Sequence, residues 1–372
     1  MVEPIYVPVL PARQSAWSAY GQLHLHVRRR VAPLWTVMPH VGRERIRGER
    51  PAPEPDGDRS ALDRWLTRHA DRLITATDGT NGWVDAVHVE AGTSGAAVAL
   101  WRLTTRSGLR LVTGPERHPT LQRYTADLAV LSGRGIGIRV LVDAPSDQPR
   151  AAELSDMMDR LVLPPERTDL ILDMGAAVDS VEAGKALDLL GGLVPWRTIV
   201  LTSGAFPRWN DSPGRESTRV GRRRDRQLYQ EVRAARPGFP RNVVYGDYSV
   251  EHPFSANTAF VNDRRPPWSL MRYTTQDGFL IGQAPTRDSG GVRGADRVDR
   301  VRATARWITE SDAFRGAGYG DGEAWLSACA HGEGAKGSGS AETWIRMGHI
   351  QHMDFVVKQL GEESATAGSG RR

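Results

Sequence analysis

The chain has 372 residues, of which 40% are hydrophobic, enough for one large core or two modest ones. The formal net charge of +5 is small for this length, and all but three of the 49 basic residues are arginine, so a basic composition alone does not indicate nucleic-acid binding. The single cysteine, Cys329, excludes an intrachain disulfide and a cysteine-rich metal site.

Targeting and membrane signals are weak throughout the sequence. The opening MVEPIYVPVL has no basic segment followed by an apolar one, so it does not resemble a secretory signal. No run approaches the ~18 consecutive apolar residues of a membrane span. We therefore expect a cytoplasmic protein with no membrane partner.

Eight short runs rich in β-branched residues alternate with amphipathic stretches. The predicted strands are 5–10, 32–38, 83–90, 109–113, 136–143, 169–173, 198–202 and 242–247. The predicted helices lie near 14–30, 59–74, 95–106, 117–132, 149–163, 179–194 and 215–236. This alternation is typical of a parallel sheet with crossover helices, and eight units in about 250 residues predict an α/β fold, a closed (β/α)8 TIM-like barrel. An open doubly wound sheet is the alternative, but no G-x-G-x-x-G turn follows the first strand.

Three segments of the chain differ in composition. Residues 1–254 would form the barrel, and residues 255–360 an α+β C-terminal extension that packs on it. The final segment, 361–372, has no apolar anchor and is predicted to be disordered. The Pro/Gly/Arg-rich stretch 40–60 is interpreted as a lid or an insertion over the barrel mouth.

Four carboxylates fall at the C-terminal ends of predicted strands, on the side that alternation assigns to the barrel interior. They are Glu90, Asp143, Asp173 and Asp247. Because active sites of such barrels lie at this face, all four are catalytic candidates. Asp143, Asp173 and Asp247 are also the predicted ligands of a hard divalent cation such as Mg²⁺ or Mn²⁺. The alternative for each is an ordinary turn or helix cap, since Asp is common after strands.

Other candidates concern anions and histidines. Ser203 and Gly204 follow the seventh strand in a small-residue turn that could present backbone N–H groups to a phosphate, with Arg208 completing the site. The arginine-rich stretch 215–236 is interpreted as a solvated outer helix rather than a nucleic-acid interface. His349 and His352 could share a helix face, but H-E-x-x-H is absent and packing is the favoured interpretation.

Several short motifs resemble the beta-protein family of bacteria and phages. They are YGDYS at 245–249, MRYT at 271–274, FRGAGYGDG at 314–322 and WIRMGHIQH at 344–352, with YVPVL at 6–10 and SGAFP at 203–207. The resemblance spans most of the chain. It implies a signature that includes Asp247, Tyr248, Arg272, Tyr273, Trp344, Arg346, His349 and His352.

The resemblance also implies a family without an assigned activity, whose members are associated with mobile elements and defence loci. Two features depart from it. The segment after the first strand, PARQSAWSAY, lacks the Lys and the Gly-Glu pair of other members, and the second strand ends with Thr36 instead of Glu. These departures put a catalytic role in doubt.

Two functions of different classes follow. The first is a barrel enzyme with an acidic, metal-binding mouth that acts on a phosphate- or nucleotide-bearing substrate. Its substrate-binding residues would be Ser203, Arg208, Tyr248, Arg272, His349 and His352. The second is a non-catalytic binding component with a protein partner from a defence or mobile-element locus. A glycosidase-like carboxylate pair is less well supported, because few aromatic residues lie near the strand ends.

Overall fold

The computed structural model describes residues 4–38, 57–77, 80–90, 94–143, 146–208, 217–236, 238–240, 242–257, 268–286, 296–332 and 338–369. Eight parallel strands close into a barrel in chain order, which confirms the predicted (β/α)8 fold and excludes the open sheet. The strands are β1 (Tyr6–Pro11), β2 (Leu34–Thr36), β3 (Gly82–Asp85), β4 (Leu109–Thr113), β5 (Ile136–Leu141), β6 (Thr168–Asp173), β7 (Thr198–Ser203) and, as the eighth barrel strand, β9 (Val243–Asp247).

Helices connect these strands and continue beyond them. They are α1 (Gln14–Gln22), α2 (Leu25–Arg28), α3 (Gly57–Thr77), α4 (Ser94–Arg106), α5 (Pro119–Ser132), α6 (Gln148–Leu161), α7 (Ser180–Leu189), α8 (Arg224–Ala234), α9 (Pro253–Asn257), α10 (Arg297–Thr309), α11 (Asp321–His331) and α12 (Ala341–Ser369). The proposed lid at 40–60 lies outside the described residues, apart from its last four, which begin α3. In the described part of the chain, none of the helices combines the length and apolar character needed to cross a membrane.

A second, three-stranded sheet lies beside the barrel. Its strands β8 (Ser217–Arg222), β10 (Trp268–Thr274) and β11 (Gly278–Pro285) are antiparallel, with β11 in the middle. The helix predicted at 215–236 is therefore wrong in its first part. In the segment STRVGR the β-branched residues Thr218 and Val220 stand two positions apart, a pattern typical of a strand. The backbone of this segment forms hydrogen bonds with β11.

The C-terminal helix α12 completes the outer ring. It packs on α1, on β1 and on β10. Residues 361–369, predicted to be disordered, instead continue this helix, because Glu363 forms an ion pair with the buried Arg226 of α8. The last three residues lie outside the described ranges. The helix thus covers the outer face of β9 and β1 and places His349 and His352 there.

Two apolar layers form the core of the barrel and its helices. Inside the barrel, inward side chains from alternating strand positions form one cluster: Val7, Val9, Leu34, Trp83, Val112, Ile171 and Val200. The opposite faces of the strands pack against the helices, and there Ile138, Val140, Leu170 and Tyr245 are all buried. The inward set on β5 and β6 matches the predicted alternation, so Arg139 and Asp173 face the interior.

A glycine pair after α5 offers a matched test of backbone requirements. Gly133 and Gly135 both have positive φ, but a Cβ at Gly135 would lie 2.0 Å from the carbonyl oxygen of Arg167, whereas at Gly133 it would meet open space. Gly135→Ala should therefore cost about 2 kcal/mol more than Gly133→Ala in urea unfolding. Equal unfolding midpoints for the two variants would contradict this close approach.

Candidate functional site

A buried ion network lies across the C-terminal mouth of the barrel. Arg139, from β5, donates through Nε to Asp173 Oδ2 at 2.9 Å and through Nη1 to Asp85 Oδ2 at 2.8 Å. Its Nη2 also donates to the hydroxyl of Tyr248 at 2.9 Å, and that hydroxyl donates to Asp173 at 2.6 Å. One guanidinium group therefore neutralises two carboxylates inside the barrel.

A second arginine links this network to the surface. Arg117 donates to Asp85 Oδ1 at 2.8 Å and to Glu90 Oε2 at 3.0 Å. Burial alone would raise the pKa of Asp85, but the charges of Arg117 and Arg139 outweigh it and lower the pKa to about 2. Burial raises the pKa of Glu90 despite the same arginine. Two carboxylates that share one guanidinium thus have pKa values shifted in opposite directions.

Asp143 does not take part in this network. Its side chain is 76% exposed, and its nearest cation is Arg150, with Nη1 3.6 Å from Oδ1. Asp143 and Asp173 therefore do not meet in one cation site, because β5 ends at Leu141 and Asp143 lies beyond the strand. The partner of Asp173 across the strands is Arg139 instead.

Asp247 lies on the opposite side of the barrel wall. On β9, Val244 faces the interior while Val243 and Tyr245 face the helices, and Asp247 has the same parity as Tyr245. Its predicted inward orientation is therefore wrong. Asp247 is fully buried and accepts hydrogen bonds from Tyr6, Tyr245 and the backbone N–H of Ser249, at 2.5, 2.9 and 2.8 Å.

His352 completes this second cluster. Its Nε2 lies 3.0 Å from Asp247 Oδ2, and its Nδ1 lies 2.8 Å from the hydroxyl of Thr274. Burial lowers the pKa of His352 in spite of the attraction of Asp247. We assign Nε2 as the protonated nitrogen, since it donates to the carboxylate while Nδ1 accepts from Thr274.

His349, one turn earlier on α12, forms a parallel pair with Glu251. The ring contacts Glu251 through Nε2 at 3.2 Å and the hydroxyl of Ser249 through Nδ1 at 2.9 Å. Burial would raise the pKa of Glu251, but His349, Arg13 and Arg272 lower it to about 2. Both histidines are completely buried. Neither side chain is open to a substrate in solution, and both instead fix α12 to the barrel, in agreement with the packing interpretation.

The predicted metal ligands are thus dispersed. Asp143 is at the surface, Asp173 is inside the barrel in an ion pair, and Asp247 is outside the wall. Within the described ranges, no group of three or more His, Cys, Asp or Glu side chains is arranged to hold a metal ion. The expectation that Asp143, Asp173 and Asp247 form one site is wrong for this reason of geometry.

The residues predicted to bind an anion are also separated. Ser203 is buried, and the N–H of Gly204 donates to the carbonyl of Gly175 at 2.7 Å, so it is not open to a phosphate. Arg272 donates to the carbonyl of Leu270, and burial lowers its pKa to about 10. Arg208 alone of this set is well exposed, and its guanidinium lies 4.0 Å from the ring centre of Phe254.

Asp85 and Arg117 were missed by sequence reasoning. The predicted third strand extended to residue 90, so alternation was followed to Glu90, whereas β3 ends at Asp85. Asp85 sits two residues after Trp83, an inward residue of the barrel core. The alternation that placed Glu90 inside assigned Asp85 to the outer face, whereas Trp83 and Asp85 are the inward residues of β3.

Comparison with known proteins gives one result. A sequence model of the family described as Beta protein matches residues 6–358, which span the barrel, the second sheet and most of α12. No curated protein matches the chain. The match covers nearly the whole sequence, and the chain belongs to the Beta protein family.

Proposed function

We propose that this protein is an acid–base enzyme that acts on a phosphate-bearing small molecule at the C-terminal mouth of the barrel. The observation that carries the proposal is the pair Asp85 and Glu90 around Arg117, with one pKa lowered to about 2 and the other raised. Carboxylates whose pKa values are pushed apart are typical of acid–base assignments. Glu90 would transfer the proton, and Asp85 would remain ionised.

The loops after β7 and β9 supply the phosphate contact in this proposal. Phosphate sites in such barrels commonly lie after the last two strands. Arg208 stacks on the half-exposed ring of Phe254, and burial together with Arg208 lowers the pKa of the nearby His252. A guanidinium held flat by an aromatic ring is well suited to a phosphate group. The roles of Ser203 and Arg272 are not retained, since neither is open to the mouth.

Replacing Glu90 with glutamine tests the enzyme proposal. A panel of phosphomonoesters, phosphodiesters and nucleotides would be followed by phosphorus NMR with the wild type, Glu90→Gln and Glu116→Gln. Loss of general acid–base catalysis should lower the rate about 100-fold or more in Glu90→Gln. Glu116, which is half exposed and paired with Arg150, is the matched control and should leave the rate unchanged.

Melting temperature separates catalysis from folding in this experiment. Equal melting temperatures with a large difference in rate support the role of Glu90. A Glu90→Gln variant as active as the wild type would contradict it, whatever the substrate.

A non-catalytic binding component is the second candidate. It is favoured by the ion pairs that hold Asp85 and Asp173 to Arg139, which leave neither carboxylate free as a nucleophile. Such a component would bind a protein partner from a defence or mobile-element locus. A wild-type protein that converts none of the panel but forms a stable complex with a protein partner in a pull-down would favour this candidate.

A further inference from the structure

A cavity outside the barrel wall is lined by an unusual set of side chains. It has a volume of about 370 Å³ and lies where the junction of β8 and α8 meets the turn between β10 and β11 and the face of α12. Arg222, Arg223 and Arg226 line it, and Asp277 is the one carboxylate among the described residues that line it. Its remaining lining side chains are glutamines, including Gln276 and Gln359. The volume is in the range of small-ligand sites.

Arg223 is buried in this cavity, near the carboxylates of Asp225 and Asp247 but not in direct contact with either. It is only 3% exposed, and among the described residues no carboxylate forms an ion pair with it. Its Nη1 donates to Gln359 at 3.0 Å, and its Nη2 reaches Tyr245 at 3.4 Å, while Nε has no partner among the described residues. Its two hydrogen-bond acceptors, Gln359 and Tyr245, are therefore both uncharged.

Arg226, one helical turn later, is also buried and only partly hydrogen-bonded. It is also 3% exposed, and its Nη2 pairs with Glu363. Its Nε and Nη1 have no hydrogen-bond partner in the part of the chain that is described. Two buried arginines therefore line one cavity, and three of their nitrogens, which the protein encloses, have no hydrogen-bond partner among the described residues. The N-terminus of α8 lies at the same place and adds a partial positive charge.

We infer that this cavity is a binding site for a small phosphorylated polyol, such as a sugar phosphate. The three arginines would bind the phosphate group, because their positive charge exceeds the charge of the one carboxylate among the described lining residues. The glutamine amides and Asp277 would bind hydroxyl groups, because they provide donors and acceptors without a further positive charge. Among the described residues no aromatic ring lines the cavity, so they offer a nucleobase no stacking surface there.

The site is separate from the barrel mouth. Arg223 contacts Tyr245, which faces the helices on the outer side of β9, whereas Glu90 and Arg117 belong to the mouth network. Binding in the cavity and catalysis at the mouth can therefore be tested independently. Glu90→Gln and Arg208→Gln should leave binding in the cavity unchanged.

Calorimetric titration at physiological ionic strength tests the inference. The probes are glucose 6-phosphate, inorganic phosphate and glucose, and the proteins are the wild type, Arg222→Gln, Arg226→Gln and Arg224→Gln. Arg222 is exposed, so its loss should not disturb folding, while Arg224 is an exposed arginine of the same helix that does not line the cavity. Glucose 6-phosphate should bind the wild type saturably and about tenfold more tightly than inorganic phosphate, and glucose should not bind detectably.

The variants distinguish a site from general charge attraction. Arg222→Gln and Arg226→Gln should weaken binding of glucose 6-phosphate about tenfold or more, and Arg224→Gln less than twofold. If the wild type binds neither phosphate at millimolar concentration, the inference is wrong. It is also wrong if Arg224→Gln weakens binding as much as Arg222→Gln, or if inorganic phosphate binds as tightly as the sugar phosphate.

Discussion

Replacing Arg139 with methionine should destabilise the fold by about 3–5 kcal/mol, because it leaves Asp85 and Asp173 buried and uncompensated in the barrel. The flexible apolar side chain of methionine fills much of the same volume, so the loss would come chiefly from the charges. Tyr248 would also lose the guanidinium that donates to its hydroxyl. Arg117 would still neutralise Asp85 in part, so Asp173 should carry most of the cost.

Urea unfolding of a small set of variants measures this effect. The double variant Arg139→Met with Asp173→Leu should recover part of the lost stability, since it removes one of the two unpaired carboxylates. Arg150→Met is the control, because Arg150 pairs with the exposed Asp143 and Glu116, and it should cost less than about 1 kcal/mol. If Arg139→Met costs no more than Arg150→Met, the ion network does not stabilise the barrel as described.

The barrel itself could be predicted because its signal is local. Each of the eight strands is a short β-branched run between amphipathic stretches, and all eight predicted runs overlap a strand of the barrel. Alternation also gave the correct inward faces of β5 and β6, where Arg139, Asp169 and Asp173 interrupt an otherwise apolar pattern. The local periodicity of the sequence was therefore enough to predict the fold and to place Arg139 and Asp173 of the ion network inside the barrel.

The candidate site was harder to predict, because the local sequence does not determine where a strand ends or which of its faces points into the barrel. Reading β3 too long moved attention from Asp85 to Glu90, and reading β5 too long brought in Asp143. On β9 both faces are buried, so alternation could not decide which face was inside. The inner face there holds Gly246, where a Cβ would lie 2.9 Å from both Thr202 and the carbonyl of Val7. The barrel interior is therefore too narrow for a side chain at position 246, and the next residue, Asp247, faces the helices.

Contacts between distant parts of the chain decide the remaining assignments. Tyr6 and His352 are 346 residues apart and meet at Asp247. Nothing near His352 in the sequence indicates that its partner comes from β9. The resemblance did place Asp247, His349 and His352 in one signature, and the structure gives these residues a shared physical role, since both histidines join α12 to the segment around Asp247 and Glu251.

Asp225 should make the stability of the protein fall as the pH rises from about 4 to about 7. This carboxyl is buried at the start of α8, and burial, together with the nearby Asp247, raises its pKa to about 7, although Arg223 opposes the shift. Since the unfolded value is about 3.9, the folded state binds the proton more tightly throughout this interval. The stabilisation that Asp225 provides is fully present below the pKa of the unfolded state and is lost once the pH exceeds the pKa of the folded state. The loss in the free energy of unfolding is at most roughly 4 kcal/mol.

Asp225→Asn should remove this pH dependence, because an amide does not ionise. Urea unfolding from pH 5 to pH 8 should show the variant gaining stability relative to the wild type as the pH rises, with the difference levelling off above pH 7. His352, whose pKa is lowered, changes stability in the opposite direction in both proteins, so it largely cancels in the difference. Asp188→Asn is the control: this exposed carboxyl pairs with Arg236 and its pKa is lowered, so its difference from the wild type should be constant over the same interval. A constant difference for Asp225→Asn as well would show that Asp225 is ionised throughout, and that Arg223 compensates its burial completely.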